Sequence, residues 1–505
     1  MARSIKVVRY KHGIRLYADS LYGHQVVQQY CKRHLLKPLT PVGTKQDVDP
    51  EGGDLFFIES ESHHITIVHI SQEKALLNYL TTQGIHYSIE DKESYPGNPT
   101  VFDKHTLNLV EPEGTKYTWQ NSASILIAEE DHNVFEVQTG RGKTNAAEKG
   151  TILRGVVTSY VTKPAYLGKW VGDIEEGLGL TLDEDFLLVD NVDRLINLVT
   201  YGGDPKVKAY LISSFCIDNY IKRWTEDPDE LPDPDQVWRA LGVGLVVYDE
   251  AHEVFRMQYW SAMALNPHAI LDLSATLLPD EPFLKHRYAE RFPLECRLSL
   301  DYEAYVDVIG LAFTIQDKKI AQRINKQGMY QHHVFESKVM SKKQTLNNYF
   351  DMLYRILDKW YLKERQEGQK ALFMFATRAM CTEFYDYVKA LCPDLNVKRY
   401  IEGDKYAEAK EADIIISTPG KSGTGVDYVG LVLNVICVSV NASQKSMQML
   451  GRTRDGCIQR WGIRPKVIYP LCTTIIKQVI YYNRRRKLLA GRVNSLITMN
   501  TGIAI

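Results

Sequence analysis

Seven consecutive residues, Gln138-Thr139-Gly140-Arg141-Gly142-Lys143-Thr144, combine two glycines, a lysine and a hydroxyl in the order that a phosphate-holding loop needs. In such a loop backbone N–H groups point at phosphate oxygens and glycine lets the backbone come close. The lysine ammonium reaches the terminal phosphates, and the threonine hydroxyl serves a magnesium ion. Thr139, Gly140, Arg141, Gly142, Lys143 and Thr144 are therefore candidate nucleotide-binding residues. The complementary chemistry lies in Val247-Tyr248-Asp249-Glu250-Ala251-His252, where Asp249 follows Lys143 by 106 residues. Asp249 suits a share in the metal with Thr144, and Glu250 suits the orientation or deprotonation of an attacking water. His252 fits either a catalytic residue or a packed, hydrogen-bonded one. The two stretches in this order predict an enzyme that hydrolyses ATP with Mg2+.

Such side chains work where buried strands end and loops begin. Apolar runs at 134–137, 155–158, 209–213, 245–248 and 270–273 alternate with helix-like stretches, and the first leads straight into the glycine loop. That rhythm predicts a parallel sheet covered on both faces. A second series, at 371–375, 414–417, 433–440 and 467–470, repeats it without a phosphate loop. Ahead of both, Ile5-Lys6-Val7-Val8-Arg9-Tyr10 and His64-Ile65-Thr66-Ile67-Val68-His69-Ile70 alternate with period two, each followed by a helix-like stretch. They predict a small α+β accessory domain. Tyr95-Pro96-Gly97-Asn98-Pro99 and Glu111-Pro112-Glu113-Gly114 punctuate the junction. The expected division is an accessory domain over 1–112, α/β domains over 113–295 and 296–480, and a basic C-terminal segment over 481–505.

With 505 residues, 44% hydrophobic and 24% charged, the chain can bury the cores of about three domains. A formal net charge of −1 restricts any nucleic-acid site to a local basic surface. Cysteines at 31, 216, 296, 381, 392, 437, 457 and 472 form no C-x-x-C pair, which excludes a zinc or disulfide framework and suits reduced thiols. No stretch approaches the ~20 apolar residues that cross a bilayer, and Met-Ala-Arg-Ser-Ile-Lys-Val has no apolar signal core. An intracellular, cytoplasmic enzyme is expected.

Further motifs surround these. Ser422-Gly423-Thr424-Gly425-Val426-Asp427 and Gln448-Met449-Leu450-Gly451-Arg452-Thr453-Arg454 each follow a buried strand of the second series, and Ser274-Ala275-Thr276 closes a strand of the first. With the glycine loop and the acidic pair, the ordered set over residues 115–470 resembles the signature of superfamily 2 helicases. The resemblance implies two tandem RecA-like parallel-sheet domains, ATP and Mg2+, and a nucleic-acid partner. It implies that Gln120, 23 residues before Lys143, reads the adenine edge, since its amide both donates and accepts. Gly425 and Asp427 would also face the nucleotide. Ser274, Ala275, Thr276 and Gln448 would couple hydrolysis to movement between the domains. Thr158, Lys163, Ser214, Thr377, Arg378, Thr418 and Thr424 occupy positions that grip a nucleic-acid backbone. Arg452 and Arg454 would reach the terminal phosphate as an arginine finger does.

Two positions depart from the family pattern. Val137 stands where a strict phosphate loop has glycine. The second arginine follows Arg452 by two residues rather than three, with Asp455 in the expected place. On a helix that turns the side chain by about 100°, which favours Arg452 over Arg454. Lys6, Arg9, Tyr10, Lys11, Arg15 and Tyr17 read as a nucleic-acid surface or as an ordinary solvated one. Arg484-Arg485-Arg486-Lys487 and Arg492, beside Tyr481 and Tyr482, read as a solvated helix face or a nucleic-acid contact. The compact layout resembles the compact viral DNA helicases of the superfamily. It implies remodelling of forked, branched, R-loop or single-stranded DNA, in a bacterial cytoplasm if the chain is phage-encoded. An RNA helicase, a duplex translocase that separates no strands, and a binding scaffold with a degraded ATPase are the alternatives.

Overall fold

The structure is a computed structural model that describes residues 4–37, 54–277, 279, 281–321, 325–326, 329–422, 428–441, 443–453 and 456–505, without the side chains of 318, 321, 325, 326, 329, 406 and 443–445. Two compact units divide between Leu300 and Asp301.

In the first unit the strands His132–Glu136, Thr158–Thr162, Phe186–Val189, Ala209–Ser213, Leu245–Tyr248, Ala269–Ser274 and Arg297–Ser299 make one sheet. Numbered in chain order, they lie 3-4-2-5-6-1-7, and every pairing is parallel. The second unit contains Asp307–Thr314, Lys370–Met374, Val397–Tyr400, Ile414–Ser417, Leu431–Ile436, Lys466–Cys472 and Ser495–Ala504. Their order is again 3-4-2-5-6-1-7, again parallel throughout. Parallel neighbours need crossovers, so helices cover the sheet faces and the central strands become apolar on both sides. The same strand order twice over defines two tandem RecA-like domains, the fold expected from the sequence.

The small N-terminal sheet, ordered Ile58–Ser60, Ile65–His69, Gly13–Ala18, Ser4–Arg9, His86–Asp91, is mixed, with helices Leu21–His34 and Glu73–Thr82 packed on it. It is α+β, as its period-two runs predict. The helix Phe255–Leu265 of the first RecA-like domain packs against this sheet, and all its residues except Arg256 are buried. A helix apolar on every side needs cover on every side. Gly13 permits this contact, since a Cβ there would lie 2.5 Å from the Met263 carbonyl oxygen.

The basic residues of the accessory domain are ion-paired, at the surface for Lys6 and inside the fold for Arg15. Lys6 pairs with Glu90, Arg9 with Glu73 and Asp91, Lys11 with Asp131, and the buried Arg15 with Asp233. Tyr10 is buried and donates to Asp235 at 3.0 Å. Near the C-terminus, helix Ile476–Leu489 precedes the edge strand of the second sheet. Its Arg485 is buried, with the guanidinium 4.1 Å from the Tyr469 ring centroid, and Tyr482 is buried as well. Gly310 makes room for Tyr482, whose hydroxyl would lie 2.1 Å from a Cβ there. All eight cysteines are free and seven of them are buried.

Candidate nucleotide site

Strand His132–Glu136 passes through Val137 into the glycine loop, and the loop into helix Lys143–Arg154. Gly140 and Gly142 make the bend at φ +86 and +80, where side chains are strained. Gly142 is required for a second reason, because a Cβ there would lie 2.3 Å from Gln120 Nε2. Lys143 is almost buried and donates across its own loop to the Val137 carbonyl at 2.8 Å. Val137 is fully buried, and its N–H donates to the Ser274 carbonyl at 3.0 Å. An apolar side chain is needed at that position, and the glycine turns begin only at Gly140.

The acidic pair follows Leu245–Tyr248, and Ser274 ends the strand lying between that one and His132–Glu136. The glycine loop, Ser274-Ala275-Thr276 and Asp249-Glu250 therefore leave the sheet side by side, at the carboxyl ends of three neighbouring strands. Ligand sites of open α/β sheets form at such ends. Glu250 has φ +47, a strained backbone for a residue with a side chain. It is held there by Ala251 N–H donating to Leu273 and Glu253 N–H donating to the Glu250 carbonyl.

Asp249 Oδ2 accepts from Trp170 Nε1 at 2.8 Å, and burial, followed by the charge of Glu250, raises its pKa. Two crowded carboxylates call for a cation. The Lys169 ammonium lies 3.5 Å from Thr144 Oγ1 and 3.0 Å from Asp173. Burial would lower its pKa, but Asp173, Asp249 and Glu250 together raise it. This corner favours positive charge, and its hydroxyl and carboxylate oxygens are the hard donors that Mg2+ takes. Thr144 and Asp249 thus fit the ion.

His252 is turned inward, its Nδ1 2.7 Å from Ser274 Oγ and 3.5 Å from Glu250 Oε2. Burial lowers it to about 4, so the ring is neutral at pH 7. Ser274 Oγ also bonds the Thr276 carbonyl and N–H, both at 3.0 Å. Gln120 is buried too: its Nε2 donates to the Gly142 carbonyl at 3.1 Å and its Oε1 accepts from Lys149 Nζ at 3.0 Å.

Among the residues expected to grip nucleic acid, Thr158 needs correction. Its strand runs Thr158–Thr162, beginning three residues later than the apolar run suggests. Thr158 therefore opens the strand at the end opposite the glycine loop, fully buried, with its hydroxyl on the Val156 carbonyl at 3.0 Å. Ser214 is also buried, and the exposed group at that turn is Phe215. Phe215, Val254 and Arg256 line a cavity of about 220 Å³. Lys163 follows the strand end and pairs with Glu253 at 2.7 Å. Burial pushes Glu253 up, but Lys163 outweighs it and keeps the carboxyl below its usual range.

In the second unit, Thr377 caps helix Arg378–Leu391 by accepting from Met380 N–H at 3.2 Å, and donates to the buried Glu336 at 2.7 Å. Arg378 is paired with the exposed Glu402, and Thr418 is partly exposed. Gln448 belongs to helix Ser443–Leu450, which ends before Arg452. Arg452 sits in a turn beyond that helix, nearly buried, so a helical angle does not describe its place. Thr424, Gly425, Asp427 and Arg454 lie outside the described residues.

Sequence reading passes over Lys169, Trp170, Glu253 and Lys149, none of which carries a motif. No helix among the described residues is long and apolar enough to cross a membrane.

No protein-family model matches the sequence, and neither does any curated protein. Among solved structures, the chain is similar to a fragment assigned as the HsdR subunit of a type I restriction enzyme from Vibrio vulnificus YJ016, at 13% identity and a TM-score of 0.48 over 77% of this chain and 68% of that one. It is similar to S. cerevisiae Dbp5 bound to RNA and ADP BeF3, at 11% identity and a TM-score of 0.47 over 76% and 89%. A third is the Pyrococcus furiosus Hef helicase domain, at 12% identity and a TM-score of 0.42 over 73% and 97%.

Proposed function

We propose that this chain is an ATP-hydrolysing motor of the superfamily 2 helicase type, working on nucleic acid. The observation that carries the reading is the convergence of Lys143, Thr144, Asp249 and Glu250 at the carboxyl ends of neighbouring strands of one parallel sheet. Lys143 exchanges the Val137 carbonyl for a terminal phosphate oxygen and neutralises its charge. Glu250, pre-set by its strained backbone, orients a water and accepts its proton as the oxygen attacks the γ-phosphorus and the bond to the ADP oxygen breaks. Mg2+, when bound, supplies charge neutralisation at the phosphates, and Thr144 and Asp249 are the residues that would hold it. His252, Ser274 and Thr276 link the acidic pair to the neighbouring strand end, which suits them to relay the state of the nucleotide. Arg452 is assigned to the terminal phosphate on the resemblance alone. The substrate we assign is forked, branched or R-loop DNA, on the resemblance of the compact layout to viral DNA helicases.

Phosphate release measured with and without single-stranded DNA, forked DNA and duplex RNA tests this. Stimulated turnover is expected, lost in Lys143→Ala, with Glu250→Gln retaining ATP binding. Arg452→Ala should cut turnover while leaving ATP affinity in place. Absence of turnover in every arm would leave a binding scaffold, and strand displacement only on RNA would reassign the substrate.

A further inference from the structure

Gln120 holds the position that the resemblance gives to an adenine reader, yet both ends of its amide are taken by the protein. A lysine ammonium only donates, so Oε1 must face Lys149, and a carbonyl only accepts, so Nε2 must face Gly142. Lys149 is 1% exposed and ion-paired with Glu111. Glu111 is pinned in turn by Asn121, whose Oδ1 accepts the Glu111 N–H at 2.7 Å and whose Nδ2 donates to the Glu111 carbonyl at 3.0 Å. The chain of contacts thus runs from the Pro-Gly punctuation at 111–114, through Lys149 on the loop's own helix, to the carbonyl of the glycine that starts that helix.

We propose that Glu111, Lys149 and Gln120 form a strut that sets the phosphate loop, and that the site binds nucleoside phosphates with little regard to the base. This deepens the hydrolase reading above and rests on it. Reading adenine takes one donor and one acceptor from the same planar amide. Here each would first have to leave a buried partner, and releasing Lys149 would leave an ammonium in the core with one bond fewer. Gln120 itself is 2% exposed, so a base edge has no open approach to it. Tyr117, half-buried next to Gly142, offers instead an aromatic face, and such a face stacks on any base. Gln120 is therefore a positioning residue, acting on phosphate affinity through the loop.

The first step of the test needs no variant. The wild-type chain is titrated with N-methylanthraniloyl-ADP and N-methylanthraniloyl-GDP by fluorescence, and ATP and GTP turnover are compared. Dissociation constants within about threefold of each other are expected, whereas an amide that reads the base would favour adenine by about 30-fold or more. Lys149→Met, or the milder Glu111→Gln, should weaken both nucleotides by one common factor, about tenfold, and leave their ratio unchanged. A strong adenine preference that Gln120→Ala abolishes would overturn the proposal and leave the hydrolase reading intact. So would folded Lys149→Met and Glu111→Gln proteins that bind both nucleotides as the wild type does. A wild-type chain that binds neither nucleotide would overturn the hydrolase reading, and the strut with it.

Discussion

Glu148 lies on the helix that begins at the glycine loop, yet it is 2% exposed and its Oε1 has no hydrogen-bond partner among the described residues. Burial, followed by the charge of Asp173, pushes its carboxyl from 4.5 to about 8. At pH 7 it therefore carries a proton. Because the folded value exceeds the unfolded one, its contribution to stability is complete below about pH 4.5 and is lost as pH rises through about 8. The loss is about 1.4 kcal/mol per pH unit across that window, or about 5 kcal/mol once the group is ionised. Glu148→Gln keeps the shape and removes the titration. In urea unfolding followed by circular dichroism, the variant should match the wild type closely at pH 5 and gain on it by about 4 kcal/mol by pH 9, with about two thirds of the gain present at pH 7. A stability difference that stays constant from pH 5 to pH 9 would refute the buried, neutral carboxyl.

Two further substitutions separate local roles. Gly142→Ala costs about 1–2 kcal/mol for its left-handed backbone, and its Cβ also displaces the Gln120 amide. Nucleotide affinity should therefore fall by more than about tenfold with the circular dichroism spectrum preserved, and unchanged affinity would remove the loop geometry from the argument. Arg485→Ala should lower the melting temperature of the chain through a loss of about 2 kcal/mol, because it removes a desolvated cation from the face of Tyr469. Arg484→Ala should stay within about 0.5 kcal/mol of the wild type, and equal effects would mean that the helix is a solvated face after all.

The central strands are legible in the sequence because a strand buried on both faces is an unbroken apolar run. Ala209–Ser213, Leu245–Tyr248 and Ile414–Ser417 can be read to the residue. Edge strands are not. Val397–Tyr400 and Ser495–Ala504 lie at sheet edges, where Lys398, Arg399 and Asn500 are tolerated, whereas the edge strand Phe186–Val189 is an unbroken but short apolar run that the reading passes over. Thr158–Thr162 fails in the other direction. It is a central strand made largely of hydroxyl residues, so the apolar pair Val156-Val157 in front of it draws the start of the reading three residues too early.

The site divides along the same physical line. Lys143, Thr144, Asp249 and Glu250 are readable as candidates because the turns that hold them lie one to three residues away, and a turn writes its requirements into adjacent letters. Gly142 illustrates this: its φ of +80 alone demands glycine. What surrounds these residues depends on partners far apart in the chain. Trp170 reaches Asp249 across 79 residues, Lys163 reaches Glu253 across 90, and Lys149 reaches Glu111 across 38. No spacing encodes such pairs, since the sheet order and not the chain brings them together. Gln120 stands on both sides of the line. Its distance from Lys143 is a sequence signal, but whether its amide faces a base or the loop is settled by Lys149, a residue with no motif of its own. A motif can thus place a side chain correctly while its buried neighbours decide what its hydrogen bonds are for.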